Sequence, residues 1–225
     1  MINYLALLGW SIGPDRDIFD PEHLVAAFDV RDVNPNPARW DQKKAESING
    51  DHLRRLPLQE FTARLLPVLR DAGVIGPQAG MGELARLELV ADLVQTRVQV
   101  LSEAVPMVAP FYVRAEELPM APDALAQLKE DAPAVLDASV TALDAISGAL
   151  PQPLGGGVEW TTERIEQALR EALVDGMGLK PRVAFGPLRT AVSGQRISPP
   201  LFESMEILGK DETLARLRRL RTTLG

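Results

Sequence analysis

A chain of 225 residues with 46% apolar and 24% charged side chains is ordinary for one or two globular units, and its net charge of −7 argues at first sight against a nucleic-acid partner, whose phosphates need Lys and Arg. The lack of any cysteine excludes disulfides, thiolate metal sites and a cysteine nucleophile together, and suits a reducing cytosol. No apolar run approaches the roughly 20 residues of a membrane span, so a soluble, cytoplasmic protein is expected.

In chain order, the opening stretch from Met1 to Trp10 is apolar but short, without the basic region and small-residue cleavage site of a signal peptide. Asp20-Pro21 predicts the start of a short helix, and Asp41 is placed to cap a segment running to Leu56. Between them Val33-Asn34-Pro35-Asn36-Pro37 reads as a turn. Pro57 opens a helix with an apolar face of Phe61, Leu65, Leu66, Val68 and Leu69, and Gly73 stops it. After the glycine-rich connection from Gly73 to Gly82, Leu84, Leu87, Val90, Ala91, Val94, Val98 and Leu101 recur at helical spacing. Pro151, Pro153 and Gly155-Gly156-Gly157 predict a flexible linker from Leu150 to Gly157. Beyond it, Thr161 or Thr162 caps a helix over Glu163 to Val174, Pro199 or Pro200 precedes one over Leu201 to Leu208, and a last helix runs from Asp211 to about Arg221. Strand-like alternation is missing. The prediction is an all-α protein of consecutive helical bundles, with units at 1–56, 57–150 and 151–225.

Charge is spread unevenly along this chain. From Lys180 to Gly225 there are nine basic and four acidic side chains, a net of +5, whereas the other 179 residues carry 15 basic and 27 acidic ones, a net of −12. A basic working end on an acidic body restores the case for an anionic partner.

Chemistry is harder to find. His23 and His52 lie in no spacing that puts two imidazoles on one helix face, so no metal pair is predicted. Gly80 and Gly82 precede a helix, but no strand leads into them and no Lys-Ser/Thr pair follows, so they read as a loop. Glu163, Glu166 and Glu171 fall at solvated helical positions, where nothing would tune them for acid–base work. Binding is better served. Pro187-Leu188-Arg189-Thr190-Ala191-Val192-Ser193-Gly194 predicts one or two helical turns presenting an arginine, followed by a polar loop from Gln195 to Ser198 and then Pro199-Pro200-Leu201-Phe202. An arginine offers paired donors and a flat stacking face, prolines hold a loop open, and a leucine can wedge against an unstacked base, which is how RNA loops are read.

The words Glu159-Trp160-Thr161, Gly186 to Gly194, Ser198-Pro199-Pro200-Leu201-Phe202-Glu203 and Leu208-Gly209-Lys210 through Leu217-Arg218-Arg219 together resemble the anticodon-binding domain of bacterial glutamate tRNA ligases, a family of class I aminoacyl-tRNA synthetases. Asn3 to Ser11 is similar to the segment that follows that family's signature lysine loop, Phe28-Asp29-Val30, Asp41-Gln42-Lys43-Lys44 and Asn49-Gly50 to its stem-contact domain, and Pro110-Phe111-Tyr112 to an aromatic turn in its middle bundle. The resemblance implies a partial stem-contact domain at 1–56 and two helical anticodon-binding subdomains at 57–150 and 151–225. It implies anticodon contacts for Arg189, Ser198, Pro199 and Leu201, with Arg189 bonding a base, and a role for Arg97 at the third anticodon base. Lys43, Lys44 and the run Arg216, Arg218, Arg219, Arg221 are then expected on the tRNA backbone, and Trp160 and Phe202 in the core. The family's His-x-Gly-His and Lys-Met-Ser-Lys motifs are absent, so ATP and Mg are expected to belong to a catalytic domain outside this chain. The chain is expected to bind glutamate tRNA as a monomer, without cofactor or metal, and to be inactive alone. The rival reading is a helical protein-interaction scaffold derived from such a domain.

Overall fold

The computed structural model describes residues 1–13, 16–35, 38–146 and 160–225, and every regular element among them is a helix. The first group comprises α1 (Ile2–Leu7), α2 (Pro21–Ala27), a 3₁₀ turn at Val30–Asp32 and α3 (Gln42–Arg55). Local chemistry sets its boundaries. Asp20 accepts the His23 amide at 2.8 Å to start α2, and Asp41 accepts the Lys44 amide at 3.1 Å to start α3, each satisfying an amide that the helix leaves open. Aromatic edges hold the group together: Trp40 meets Tyr4 with ring centroids 4.7 Å apart, and Trp10 meets Phe19 at 5.9 Å.

Next come α4 (Leu58–Asp71), α5 (Met81–Gln95), a 3₁₀ turn at Leu101–Glu103, α6 (Ala104–Val108) and a 3₁₀ turn at Ala109–Tyr112. Phe61, Leu65 and Leu69, one helical row of α4, are fully buried against Leu87, Val90 and Val94 of α5. Burial of each such side chain stabilises the fold by about 1.5–3 kcal/mol. The Gln95 amide donates to the carbonyls of Leu53 and Leu56, both at 2.8 Å, fastening the end of α3 to the end of α5.

The remainder is α7 (Pro122–Leu125), α8 (Ala132–Asp144), α9 (Thr162–Leu169) continuing into a π-helical turn at Arg170–Asp175, α10 (Pro181–Ala184), α11 (Gly186–Ser193), α12 (Leu201–Leu208) and α13 (Lys210–Thr223). These helices share a second core that includes Val135, Leu136, Leu143, Ile165, Leu169, Leu188, Met205 and Leu217. As expected, Phe202 and Trp160 pack against it, and the Trp160 indole donates to the Met205 carbonyl at 2.8 Å.

The packing corrects the expected division of the chain at 150. Helix α8, placed before that break, is buried along Val135, Leu136, Ser139 and Leu143 and lies against α13 and α9 in the second core. An apolar helix shares the core that covers it, wherever the chain between happens to be glycine-rich. The two cores part between Phe111 and Leu125, and Leu208 of α12 touches both. The expected linker from Leu150 to Gly157 lies outside the described residues.

Candidate nucleic-acid interface

Helix α11 begins with Gly186-Pro187 and ends at Gly194, whose φ of +68° and position 2.0 Å from the Pro119 carbonyl (measured from an added Cβ) admit only glycine. The Gly194 carbonyl accepts the Ala121 amide at 2.7 Å, and the Gln195 side chain donates to the Pro106 carbonyl at 2.9 Å. The loop after α11 is thereby fixed at its root while its tip, Arg196 and Ile197, remains exposed. Arg189 is the one exposed side chain of the helix.

Around this loop open two adjoining clefts. One, of about 830 Å³, is lined by Lys129, Asp131, Arg182, Phe185, Arg189 and Arg196 among others. The second, of about 1020 Å³, shares Gln127, Arg182, Gln195 and Arg196 with it and adds Pro119, Asp123 and Ile197. Among the described residues, the guanidinium groups of Arg182, Arg189 and Arg196 and the Lys129 ammonium make no hydrogen bond or ion pair. Arg189 is held below the usual arginine pKa first by desolvation and then by the charge of Arg97, with Glu203 opposing the shift. Arginine stays protonated regardless. Arg97 therefore lies close enough for its charge to be felt at Arg189, with the Glu203 carboxylate acting in the opposite sense. An anion or an electron-rich base edge is the ligand that such an arrangement favours.

The structure thus brings Arg97 and Arg189 together, although 92 positions separate them in the chain. It redistributes the other expected residues. Leu201 is only 3% exposed and belongs to the second core, so it cannot wedge against a base. Pro199 is buried too, and Ser198 is half-buried with its hydroxyl turned to the Pro199 carbonyl at 3.2 Å. The apolar side chain that the loop does offer is Ile197, 68% exposed. Its signal in the sequence was a lone apolar residue in a polar loop. Lys129, Arg182 and Arg196 were missed for a related reason: only the fold gathers them around one cleft.

The expected basic stripe on α13 is corrected more severely. Arg216 is fully buried, donating to the carbonyls of Val192, Pro110 and Val113 at 2.5–2.8 Å and to Glu212 at 2.7 Å. Arg219 donates to the carbonyls of Ala115 and Leu118. Arg221 is paired with Asp137 at 2.9 Å. Arg218 alone stays exposed, with Asp144 at 3.9 Å. On α3, Lys43 is exposed and Lys44 lies 3.2 Å from Asp17.

A third cleft of about 690 Å³, between α1, α2 and α3, contains both histidines. His23 is paired with Asp20, and His52 Nε2 lies 2.8 Å from the Asn3 side-chain oxygen. Among the described residues no group of three or more His, Asp or Glu side chains could hold a metal ion, and no helix is long and apolar enough to cross a membrane.

A family model described as the anticodon binding domain matches residues 60–221. The glutamate–tRNA ligase of Kineococcus radiotolerans is 52% identical over 224 residues, which is all of this chain and 42% of the relative, and that of Leifsonia xyli is 52% identical over 225 residues, or 44% of the relative. The chain therefore spans less than half the length of the curated relatives it matches. The crystal structure of a glutamate tRNA ligase from Elizabethkingia meningosepticum superposes with a TM-score of 0.78 over 100% of this chain and 41% of that one, at 19% identity, showing a shared fold. With most of its length matched by the family model and the ligase relatives aligned along all of it, the chain belongs to the anticodon binding domain family in the form found in glutamate–tRNA ligases.

Proposed function

We propose that the chain is the tRNA-reading, C-terminal part of a cytoplasmic glutamate–tRNA ligase, binding glutamate tRNA as a monomer and reading its anticodon. The observation that carries this reading is the cleft ringed by unpaired Lys129, Arg182, Arg189 and Arg196, with Arg97 close enough for its charge to bear on Arg189. Arg189 and Arg97 supply donors to base edges, Ile197 supplies an apolar contact, and Lys129, Arg182 and Arg196 neutralise phosphates. Lys43 and Arg218 are further exposed cations for the backbone. The chain performs no chemistry in this reading. Use of ATP and Mg to activate glutamate belongs to the remainder of such a ligase.

The test is a titration of the chain with transcribed glutamate tRNA and with the same transcript carrying a swapped anticodon, at two salt concentrations. Tighter binding of the native anticodon, weakening steeply with salt, is expected. Absence of binding favours a second reading, the protein-interaction scaffold. One observation speaks for that alternative: Val25, Phe28, Val30, Val33 and Trp40 are exposed apolar side chains within one short stretch.

A further inference from the structure

The segment that joins the two cores, residues 110–118, makes few backbone hydrogen bonds of its own: the amides of Glu117 and Leu118 donate to the Arg114 carbonyl. Five of its other carbonyls, those of Pro110, Phe111, Val113, Ala115 and Leu118, accept from arginines that arrive from both sides. From α5, Arg86 donates to Phe111 at 3.0 Å. From α13, Arg216 donates through one nitrogen to Pro110 at 2.7 Å and Val113 at 2.8 Å, and Arg219 donates to Ala115 and, at 2.6 Å, to Leu118. Arg216 also reaches the last turn of α11, donating to the Val192 carbonyl at 2.5 Å. One buried guanidinium thus touches the strap between the cores and the helix that presents Arg189.

Four of the five N–H donors of Arg216 are used, three of them on backbone carbonyls of two separate segments. A lysine, with a compact point charge, cannot span those acceptors in one plane. Burying a charge costs desolvation, and replacing a whole buried ion pair by apolar side chains is often neutral or stabilising, whereas removing one partner alone is destabilising. What the fork supplies here beyond stability is a fixed distance. Helix α5 leads within two residues into Arg97, and α11 carries Arg189, so one route between these two arginines runs through Arg86, the strap and Arg216, beside the direct packing of α12 on α5.

We infer that Arg216, with Arg86 and Arg219, forms a positioning clamp that sets the spacing of Arg97 and Arg189 and thereby the selectivity for the anticodon. The clamp touches no RNA. Its role in selectivity rests on the tRNA-reading function proposed above, whereas its effect on spacing is a property of the protein alone.

Because the chain has no cysteine, Glu88→Cys and Lys180→Cys can carry a pair of spin labels in the full chain, one near each core. Distances between them are measured without RNA in the wild-type background, in Arg216→Lys and in Arg86→Met. The expected result is a broadened or shifted distance distribution in both variants. In parallel, the ratio of affinities for native and anticodon-swapped transcripts should fall at least about fivefold, the low end of what one bidentate base contact contributes, with an unchanged salt slope. Wild-type distances in a folded Arg216→Lys chain, checked by circular dichroism, overturn the clamp. If Arg216→Lys does not fold, Arg86→Met decides by the same criterion, since its side chain departs from an exposed position and leaves no buried hole. A wild-type chain that binds both transcripts equally overturns the tRNA reading and the selectivity role with it, while the distances still decide the clamp.

Discussion

Helix α13 and the α11 region use the same residue in opposite ways. Arg216, Arg219 and Arg221 of α13 spend their donors on carbonyls and carboxylates of the protein itself, whereas Arg189 and Arg196 of the α11 region face a cleft with no partner among the described residues. The denser arginine run is thus the structural one and the sparser set is open to an anion. Charge density along a sequence reports basic composition. Whether that charge is available depends on which carbonyls the fold leaves unsatisfied nearby, because a buried carbonyl without a donor costs free energy that an arginine can recover.

The sharpest way to break this contrast is Arg216→Met set beside Arg189→Ala. Losing Arg216 strands three carbonyls and Glu212, and should lower unfolding free energy by about 3–5 kcal/mol in urea. Arg189→Ala should leave stability within about 0.5 kcal/mol and weaken binding of the native anticodon alone by about 1–3 kcal/mol. Equal stability losses in the two variants would erase the distinction. A second pair concerns the loop. Leu201→Ala should cost about 2–5 kcal/mol of stability as a core truncation, while Ile197→Ser should leave the melt unchanged and weaken RNA binding. The reverse pattern would return the base-wedging role to Leu201.

Much of the fold was legible because its signals are local. Asp20 and Asp41 cap where their side chains predict, the row Phe61, Leu65, Leu69 is buried, and Gly73 with a φ of +72° ends α4. Arg189 is exposed on the helical turns that were expected to present an arginine. What stayed hidden is long-range. Arg216 is bonded to Pro110, 106 positions away, and no spacing rule anticipates such a pair. Leu201 and Ile197 are both apolar and near the same loop, and only the second core decides that the first is inside. Helix α8 was obscured by the linker after it: a glycine-rich break suggests a boundary, but the boundary follows the apolar face that α13 covers.

Salt dependence probes a smaller effect. Replacing Arg182 and Arg196 by glutamine should reduce the slope of log affinity against log salt by about one for each phosphate that is no longer neutralised, with the anticodon preference kept. Arg221→Gln, which removes a cation already paired with Asp137, should leave the slope as it is. A slope that responds to Arg221 and ignores Arg182 would move the phosphate track onto α13.

The smallest effect expected is a pH dependence in the group around α3, remote in sequence from both arginine sets. His52 is held below the usual histidine pKa chiefly by partial burial, then by the charge of Arg55, with Asp51 opposing. The unfolded chain therefore takes up a proton on this imidazole near pH 6.5, before the folded chain does. Between that pH and the lower folded value the unfolded state binds more protons, so stability falls as pH drops through this window and is level above it. The change is small because the imidazole keeps part of its hydration. His52→Gln removes the titrating group while leaving an amide able to donate to the Asn3 oxygen that His52 now meets at 2.8 Å. Urea midpoints between about pH 7.5 and about pH 5.5, values that bracket the ordinary imidazole range, should then fall less steeply in the variant than in the parent chain. Parallel curves would show that the neutral imidazole is not required by the fold.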